Sequence, residues 1–322
     1  WAKKYDIKKL QTKDKNKLLD IKELMLGELS RAEKNFSYIP NEIFKLVNLK
    51  ELYIKSINLK ALPKDIGNLI NLKKLEIRCE KLNELPKELF NLTNLKEFEI
   101  RSENLEKLPK EICNFSKLEN IEIACENLKE LPHEIGNLKK LKYFTLWGDN
   151  LTKFPKEIGN LVNLEDFRIY YGYNLREFPK EITNLIKLKY LMLEHCDKIK
   201  KLPKEIGNLI NLKRLKISCY DLELTRKIGN IINLETLYII TNNLETLPSE
   251  IGKLINLETL YIWSDVDGLI ELPKEIGNLT NLKMLDIKCN NLKELPKEIY
   301  NLINLKALYI MSDNLESFPD GI

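Results

Sequence analysis

Apolar residues recur along the chain with one fixed spacing. Leu72, Leu75, Ile77 and Leu82 illustrate it, and we number them positions 1, 4, 6 and 11 of a repeating unit. Apolar and polar residues alternate through the middle of this string, which predicts a short β-strand with one buried face. Because each unit repeats the one before it, we expect the strands to run in the same direction and to form a long parallel sheet.

A second recurring phrase, Leu-Pro-Lys-Glu-Ile-Gly-Asn-Leu, joins one predicted strand to the next. Proline has a φ angle suited to the first position of a helical turn, and the glutamate follows where a helix N-terminus favours negative charge. The phrase therefore predicts a short helical return turn. Several units have glycine in its sixth position, but Thr183 occupies that column as well, so we expect no requirement for positive φ there.

The return phrase recurs every 22 to 25 residues. Its second position falls at Pro40, Pro63, Pro86, Pro109, Pro132, Pro155, Pro179, Pro203, Thr225, Pro248, Pro273, Pro296 and Pro319. A period of this length is typical of a solenoid. Length alone would suggest about two domains, but the repeat predicts one continuous array instead.

Some units depart from the common form. Extra residues lie at 170–174, 194–199 and 264–269, where a strand leaves the sheet. Insertions at such loops either shape recognition or are neutral, and both interpretations stay open. In the 22-residue unit Thr225-Arg226-Lys227 replaces Pro-Lys-Glu, which we expect to disturb the return turn locally.

The string LxxLxLxx(N/C)xL followed by LPxEIGNLxNL resembles leucine-rich repeat proteins. The most similar subtype is the LPxxIxxLxxL class of Scribble-type scaffolds, plant Ras-group proteins, plant immune receptors and many bacterial proteins. The resemblance covers about residues 39–322. It implies an α/β repeat solenoid, a horseshoe whose parallel sheet lines the concave side and whose convex side carries short helical or 3-10 turns. It implies nothing specific about the ligand.

Residues 1–38 do not repeat and are expected to form an N-terminal helical capping segment ahead of a repeat domain of about twelve units in 39–322. Apolar residues at near-helical spacing are Leu18, Leu19, Leu24, Met25, Leu26 and Leu29. Asp14 is a candidate N-cap. A cap has a structural purpose because an open solenoid end exposes its core; a basic helix on a membrane surface is the alternative.

The two ends of the sequence carry their own expectations. It begins at Trp1 rather than at methionine, so we expect the natural start to lie earlier and any signal peptide to be outside this sequence. It stops at Ile322, partway through a return segment. Either the natural chain continues, or another molecule covers the last unit.

Position 9, which is usually asparagine in the family, often holds an acid here, as in Glu80, Glu103 and Glu126. A carboxylate cannot donate a hydrogen bond, and stacked carboxylates repel each other. We therefore expect these acids to point outward. The preceding small residues take the inward slot in this hypothesis: Ser56, Cys79, Ser102, Cys125, Cys219, Ser264, Cys289 and Ser312. A row of glutamates could also hold a cation, but a solvated acidic edge is favoured.

Positions 3, 5 and 7 point from the strands into the concave face and are free to vary. Nine of these 36 positions hold aromatic residues, against 8% aromatic residues in the whole chain. Aromatic side chains supply large anchors at protein interfaces, although they also favour strands through cross-strand packing. The early units instead carry charged columns, such as Glu76 and Glu99 beside Arg78 and Arg101, which indicate a solvated surface with compensated charge.

We therefore expect a protein partner to bind on the concave face at two groups of residues. The first group is Tyr143, Trp147, Arg168, Tyr170, Tyr171, Tyr190, Met192 and Lys216, with Tyr173 nearby. The second group is Tyr238, Ile240, Tyr261, Trp263, Tyr309 and Met311. The predicted function is a protein–protein interaction module with a scaffold, signalling or host-interaction role. Rigid presentation by the array is the predicted mechanism.

Catalysis and cofactors are not predicted. The stretch Glu194-His195-Cys196-Asp197 mixes nucleophile, base and acid, but neighbours on a strand point to opposite sides. His195 is expected at the surface and Cys196 in the core. The sequence contains no metal-spaced cluster and no phosphate loop, so the expectation is no enzyme, no metal and no cofactor.

Charge and composition also indicate which classes of partner and which compartment to expect. The net charge of +4 is spread along the chain without a basic stripe, so nucleic acid is not an expected partner. No apolar run is long enough to cross a membrane. The chain is expected to be a monomer unless its uncapped C-terminal end pairs. Six sparse cysteines favour a reducing compartment, while a secreted or surface location and a Cys196–Cys219 pair stay open.

Two other functions stay open. Family members include repeat regions fused to GTPase, kinase or ubiquitin-ligase domains, so the chain is alternatively the regulatory region of a larger enzyme. A glycan or lipid receptor would also use aromatic clusters on the concave face.

Overall fold

The computed structural model describes residues 2–5, 7–27, 35–242, 244–264 and 268–319. They belong to two compact units, 1–151 and 152–322, and each is described by itself. The predicted cap residue Leu29, part of the lengthened segment 264–269 and the terminal residues Trp1 and Ile322 lie outside the described residues. The division into a capping segment, 1–38, and a repeat domain, 39–322, stays a prediction.

The described part of the first unit contains six strands that pair in parallel and in chain order. They are β1 (Glu23–Leu26), β2 (Glu51–Lys55), β3 (Lys74–Arg78), β4 (Glu97–Ser102), β5 (Asn120–Cys125) and β6 (Tyr143–Trp147). The 3-10 turns are Lys8–Leu10, Asn41–Lys45, Lys64–Asn68, Lys87–Asn91, Lys110–Asn114 and His133–Asn137, and the helix α1 is Lys15–Leu19.

In the second unit the described residues contain seven strands, again parallel and in chain order. They are β7 (Asp166–Tyr170), β8 (Tyr190–Leu193), β9 (Arg214–Ser218), β10 (Thr236–Ile240), β11 (Thr259–Ser264), β12 (Met284–Cys289) and β13 (Ala307–Met311). Its 3-10 turns are Lys156–Asn160, Lys180–Asn184, Lys204–Asn208, Arg226–Asn230, Ser249–Lys253, Lys274–Asn278 and Lys297–Asn301. The predicted parallel solenoid with short return turns is confirmed.

Buried residues alternate with exposed or partly exposed ones along most of the strands, and this alternation decides which side chains form the core. In β10, Leu237 and Ile239 are fully buried, whereas Thr236, Tyr238 and Ile240 are partly exposed. Residues two apart on a strand share one face, so the leucine columns of neighbouring strands stack into one apolar layer. This layer lies between the sheet and the 3-10 turns.

The return phrase folds as predicted because its proline and isoleucine act together. Pro63, at φ −62°, precedes the first turn residue, and its carbonyl accepts a hydrogen bond from the Ile66 N–H at 3.1 Å. Ile66 is fully buried against the sheet. Where the return phrase contains proline, the proline therefore lies one residue earlier than the first helical position that we predicted, as the N-cap of the 3-10 turn.

The expected disturbance at Thr225 is wrong. The turn Arg226–Asn230 has the same length as its neighbours, and Ile228 is buried within it. Thr225 adopts φ −75°, and its hydroxyl accepts a hydrogen bond from the Lys227 N–H at 3.3 Å. A threonine cap thus replaces the preset φ of proline.

Where the return turn contains glycine, as at Gly67, the glycine is explained by close approach rather than by backbone conformation. Within the described residues, positive φ occurs at Gly27, Tyr171 and His195, so the expectation for this column is confirmed. A Cβ atom on Gly67 would instead overlap the backbone oxygen of Glu88 in the next turn. Glycine lets successive turns pack closely.

The predicted N-terminal helix is correct only in part. Asp14 caps α1 by accepting from the N–H groups of Asn16 and Lys17. The helix ends at Leu19, however, and Glu23–Leu26 forms β1, which pairs with β2. Leu24 and Leu26 are buried while Met25 is exposed, so the period is that of a strand. Pairing with β2 outweighs a short run that also fits a helix.

The small residues before position 9 lie inward, as we predicted. Ser102, Cys79 and Cys125 are buried, while Glu80 and Glu126 are exposed. The Ser102 hydroxyl donates to the Leu82 carbonyl of the preceding repeat at 2.8 Å and accepts from the Asn104 N–H at 3.2 Å. A small polar side chain therefore satisfies backbone groups that would otherwise be buried without partners.

An asparagine column joins the repeats beside the sheet, and the sequence analysis missed it. The residue before position 1 donates its side-chain N–H to a carbonyl of the preceding repeat. In the first unit Asn71 donates to Val47 at 3.0 Å, and in the second Asn233 donates to Ile210 at 2.7 Å. The asparagine side chain is short enough to fit between two repeats, and its amide supplies the N–H donor that a carboxylate lacks.

Replacing Ser102 tests the inward column. We expect Ser102→Ala to lower the free energy of unfolding by about 1–3 kcal/mol, because it leaves the buried Leu82 carbonyl without its donor. Ser102→Cys should lower it by less, since Cys79 and Cys125 occupy the same column. Urea denaturation followed by circular dichroism measures both, and equal stability of the alanine variant and wild type would contradict the role.

The cysteines give a second test of burial. Burial raises the pKa of Cys79 and of Cys125 to about 12. Of the six free cysteines, five are buried and Cys113 is half-buried. Because the thiolate is the reactive form, we expect one thiol of the native protein to react with an aromatic disulfide reagent at pH 8. Cys113→Ser should abolish this reaction, and rapid reaction of two or more native thiols would contradict the burial.

Candidate functional site

We call the side of each sheet formed by positions 3, 5 and 7 the open sheet face. Register places equal positions of neighbouring strands side by side, as for Tyr238 with Tyr261 and Asp286 with Tyr309. Since neighbouring strands lie roughly 4.8 Å apart, side chains in one column contact each other. The open sheet face is therefore a set of columns in which each side chain is positioned by a strand.

In the first unit most charged groups on the open sheet face neutralise each other. Glu76 pairs with Lys55 at 3.2 Å and with Arg78 at 2.8 Å, and Arg78 also reaches Glu99 at 2.8 Å. Burial, aided by the charge of Glu99, raises the pKa of Glu122. The predicted charge compensation within a strand is present, and pairs between strands add to it.

The predicted residues Tyr143 and Trp147 lie at the two ends of β6, on the open sheet face of the first unit. Tyr143 is 47% exposed. Trp147 pairs in register with Ala124, and its side chain lies beside Glu122. Trp147 thus lies beside the charged columns of the same unit. The other twelve predicted site residues belong to the second unit.

A cation–aromatic cluster occupies β7, β8 and β9. Arg168 makes two hydrogen bonds to Asp166, at 2.8 and 2.7 Å, and this contact raises the pKa of the guanidinium. The guanidinium carbons of Arg168 and Arg214 lie 4.9 and 5.1 Å from the ring centroid of Tyr190. The tyrosine ring is therefore held between two cations, an arrangement that orders all three side chains.

Two further predicted residues support this cluster. The Tyr190 hydroxyl donates to the Met192 sulfur at 3.3 Å, and burial raises the pKa of Tyr190. Met192 is only 4% exposed, so the Tyr190 hydroxyl is held by a buried side chain. Lys216, on the next strand, forms an ion pair with Glu194 at 3.1 Å.

A groove of about 550 Å³ lies beside the cluster on the same face. It is lined by Tyr190, Arg214, Lys216, Tyr238, Ile240 and Tyr261. One end is cationic, and the other is aromatic and aliphatic. A cleft of this size with a few polar groups is typical of a binding site.

Beyond the groove the aromatic columns continue toward β13. The rings of Tyr238 and Tyr261 are 5.4 Å apart at 38°. The Lys288 ammonium lies 4.0 Å from the Trp263 ring centroid. Tyr309 and Met311 are 57% and 61% exposed. The second predicted group is thus a surface, and each of its members lies on a strand.

Tyr171 lies apart from the face residues, at the edge where β7 ends. It is stacked with Tyr173 at 5.8 Å and with His195 at 5.7 Å, so the three rings form one cluster. Tyr171 and His195 have φ angles of 55° and 53°, at equivalent places in the two 24-residue units. The extra residue in each unit therefore turns a ring outward. Tyr170, by contrast, ends β7 on the open sheet face beside Arg168.

The sequence analysis missed Arg214, Asp166 and Lys288. All three occupy positions 3 or 7 of their units, so the alternation already placed them on the open sheet face. Only aromatic enrichment was used to choose among those positions. Which cation stacks on which ring depends on register between strands, as for Arg214 opposite Tyr190, and that requires the structure.

The stretch 194–197 places its base and its nucleophile in different surroundings. His195 is exposed at positive φ, whereas Cys196 is fully buried, so the two side chains point apart. The neighbouring Cys196 thiol and burial raise the pKa of Cys219, and the two cysteines are not joined by a disulfide. The described ranges hold no group of three or more His, Cys, Asp or Glu residues that could bind a metal ion. None of their helices has the length and apolar character needed to cross a bilayer.

Comparison with solved structures finds similar folds. An internalin from Listeria monocytogenes is 21% identical, with a TM-score of 0.71, over 95% of this chain and 84% of that one. The plant peptide hormone receptor RGFR1 in complex with RGF2 is 28% identical, with a TM-score of 0.62, over 85% of this chain and 49% of the receptor. A leucine-rich repeat protein of Leptospira interrogans is 28% identical, with a TM-score of 0.56, over 95% and 94%.

Sequence comparison places the chain in a family. No curated protein matches the sequence. A family model described as a leucine-rich repeat region matches residues 87–182 and 173–268, which together make up more than half of the chain. The fold and its structural neighbours agree with this match, and the chain belongs to the leucine-rich repeat family.

Proposed function

We propose that the protein is an interaction module that binds a protein partner on the open sheet face, the concave face of the predicted horseshoe. The observation that carries this proposal is the set of aromatic side chains on strands β8 to β13 that are exposed or partly exposed, namely Tyr190, Tyr238, Tyr261, Trp263 and Tyr309. Tyr and Trp are the residues most often found as anchors at protein interfaces. The exposed part of each ring gains nothing from burial until a partner covers it.

Preorganisation supports the proposal. Tyr190 is held between two arginines, and Trp263 carries Lys288 on its ring. Side chains that are already ordered lose little rotamer entropy on binding, about 0.5–1.5 kcal/mol less for each one. A partner would therefore meet fixed anchors on a fixed backbone.

The family supports the proposal as well. Leucine-rich repeat folds are typically non-enzymatic binding scaffolds. The similar plant receptor is described in complex with RGF2. An interaction role for this chain is consistent with both, and the identity of its partner would come from experiment.

Alanine at two anchors tests this function. The double variant Tyr238→Ala/Trp263→Ala should weaken partner binding at least about 30-fold, because one anchor residue alone contributes about 2 kcal/mol or more and the two contributions need not add. Affinity capture from a lysate of the source organism, quantified by mass spectrometry, identifies partners that depend on these residues. The dissociation constant is then measured with the purified partner by biolayer interferometry. Trp147→Ala tests the first unit in the same assay.

A matched control is available elsewhere in the same repeats. Ile232 and Ile255 are 51% and 56% exposed but lie outside the open sheet face. Ile232→Ala/Ile255→Ala also removes exposed apolar surface and should retain wild-type affinity. Circular dichroism confirms that each variant is folded. Equal affinity of wild type and the Tyr238/Trp263 variant, or equal loss in the control, would reject the proposal.

A further inference from the structure

The charges around the groove of the second unit are unevenly neutralised. Asp166 is engaged by Arg168 through both carboxylate oxygens, and Glu194 by Lys216. Arg214 makes no ion pair with any of the described residues, and its guanidinium lies over the ring of Tyr190. The cationic end of the groove thus contains one arginine whose charge the described residues leave unpaired.

Arg214 is also the cation best placed to meet a ligand. It opens β9 as an exposed residue, and in register it lies between Tyr190 and Thr236. The contact with the Tyr190 ring orders the guanidinium without pairing its charge, so its N–H groups can donate to a ligand. A planar guanidinium matches a carboxylate with two parallel hydrogen bonds.

The opposite end of the groove provides a different contact. Tyr238, Ile240 and Tyr261 present an aromatic and aliphatic surface one and two strands away from Arg214. Strands lie roughly 4.8 Å apart, and consecutive residues of an extended peptide lie roughly 3.3 Å apart. A peptide crossing the strands would therefore span the distance from Arg214 to Tyr261 with about three residues.

We propose that this groove binds an extended acidic segment of the protein partner. An Asp or Glu side chain pairs with Arg214, with Lys216 alongside, and a large apolar side chain two or three residues away packs against Tyr238, Ile240 and Tyr261. The inference rests on the proposed function, since it names the kind of segment that the open sheet face would hold. Charge complementarity favours an acidic occupant over a basic or purely apolar one.

A random 12-residue peptide library displayed on phage tests the inference on the full chain. Peptides selected on wild-type protein should be enriched in Asp or Glu two or three residues from Phe, Trp or Leu. Affinity of a selected peptide, measured by fluorescence anisotropy, should fall at least tenfold in Arg214→Glu and in Tyr238→Ala. Exchanging the peptide's acid for lysine should restore binding to Arg214→Glu, and added salt should weaken binding to wild type.

Arg226→Glu is the matched control, because Arg226 is an exposed arginine in the next return turn. It makes the same change of charge and should leave peptide affinity within twofold of wild type. Equal losses in Arg214→Glu and Arg226→Glu would show a general charge effect and overturn the inference.

The outcomes separate the two proposals. Selected peptides that depend on Tyr238 but lack acids, and bind Arg214→Glu as well as wild type, would overturn the acidic segment while the interaction module stands. Failure to select any peptide that depends on Arg214 would also overturn the acidic segment. Binding of a heparin fragment in its place would identify an anionic glycan instead. The affinity capture with whole partners judges the interaction module independently.

Discussion

The structure depends on one constraint, which is that no single repeat can bury its own leucines. Each repeat contributes one short strand and one 3-10 turn, and its apolar residues are covered only when a neighbour stacks on them. Leu285 and Ile287 of β12 are fully buried between two neighbours, whereas the equivalent Leu308 and Ile310 of β13 remain partly exposed. The leucines and isoleucines of a repeat are therefore buried by contact with the neighbouring repeats. The same contact sets the register, since a strand shifted by one residue would turn its leucines to solvent.

Stacking also creates a demand for hydrogen-bond donors between repeats. Parallel pairing satisfies the strands, but the chain leaves each strand through a turn whose carbonyls face the next repeat. Ser102 donates to Leu82 on one side of the strand, and Asn71 donates to Val47 on the other. Small side chains suffice because the repeats are close, and glycines such as Gly67 allow neighbouring return turns to approach closely. Polar residues inside the array are thus requirements of the stacking geometry, and they leave the open sheet face free for other uses.

Much of this follows from the sequence because the constraint is periodic. Parallel strands, return turns and the inward small residues were all predicted, since each is repeated many times and each has a local physical cause. Single features were harder to predict. Leu24 and Leu26 fit a helix and a strand equally well over so short a span, and only pairing with β2 decides between them. Thr225 maintains its turn through a hydrogen bond that proline cannot make. The sequence predicts which residues of the candidate site lie on the open sheet face. It does not predict that Arg214 lies over the ring of Tyr190, because that contact joins two strands.

Because the scaffold fixes the backbone, the open sheet face can differ between repeats at little cost to the fold. In the first unit Glu76, Arg78 and Glu99 form a chain of ion pairs, so an incoming charge would have to compete with partners already in place. In the second unit Arg168 is similarly occupied by Asp166, but Arg214 is held by an aromatic ring. A ring orders a cation without neutralising it, and it leaves the N–H groups of the guanidinium to a ligand. Ion pairs therefore neutralise charge on one surface, whereas stacking on the other keeps a charge oriented and available.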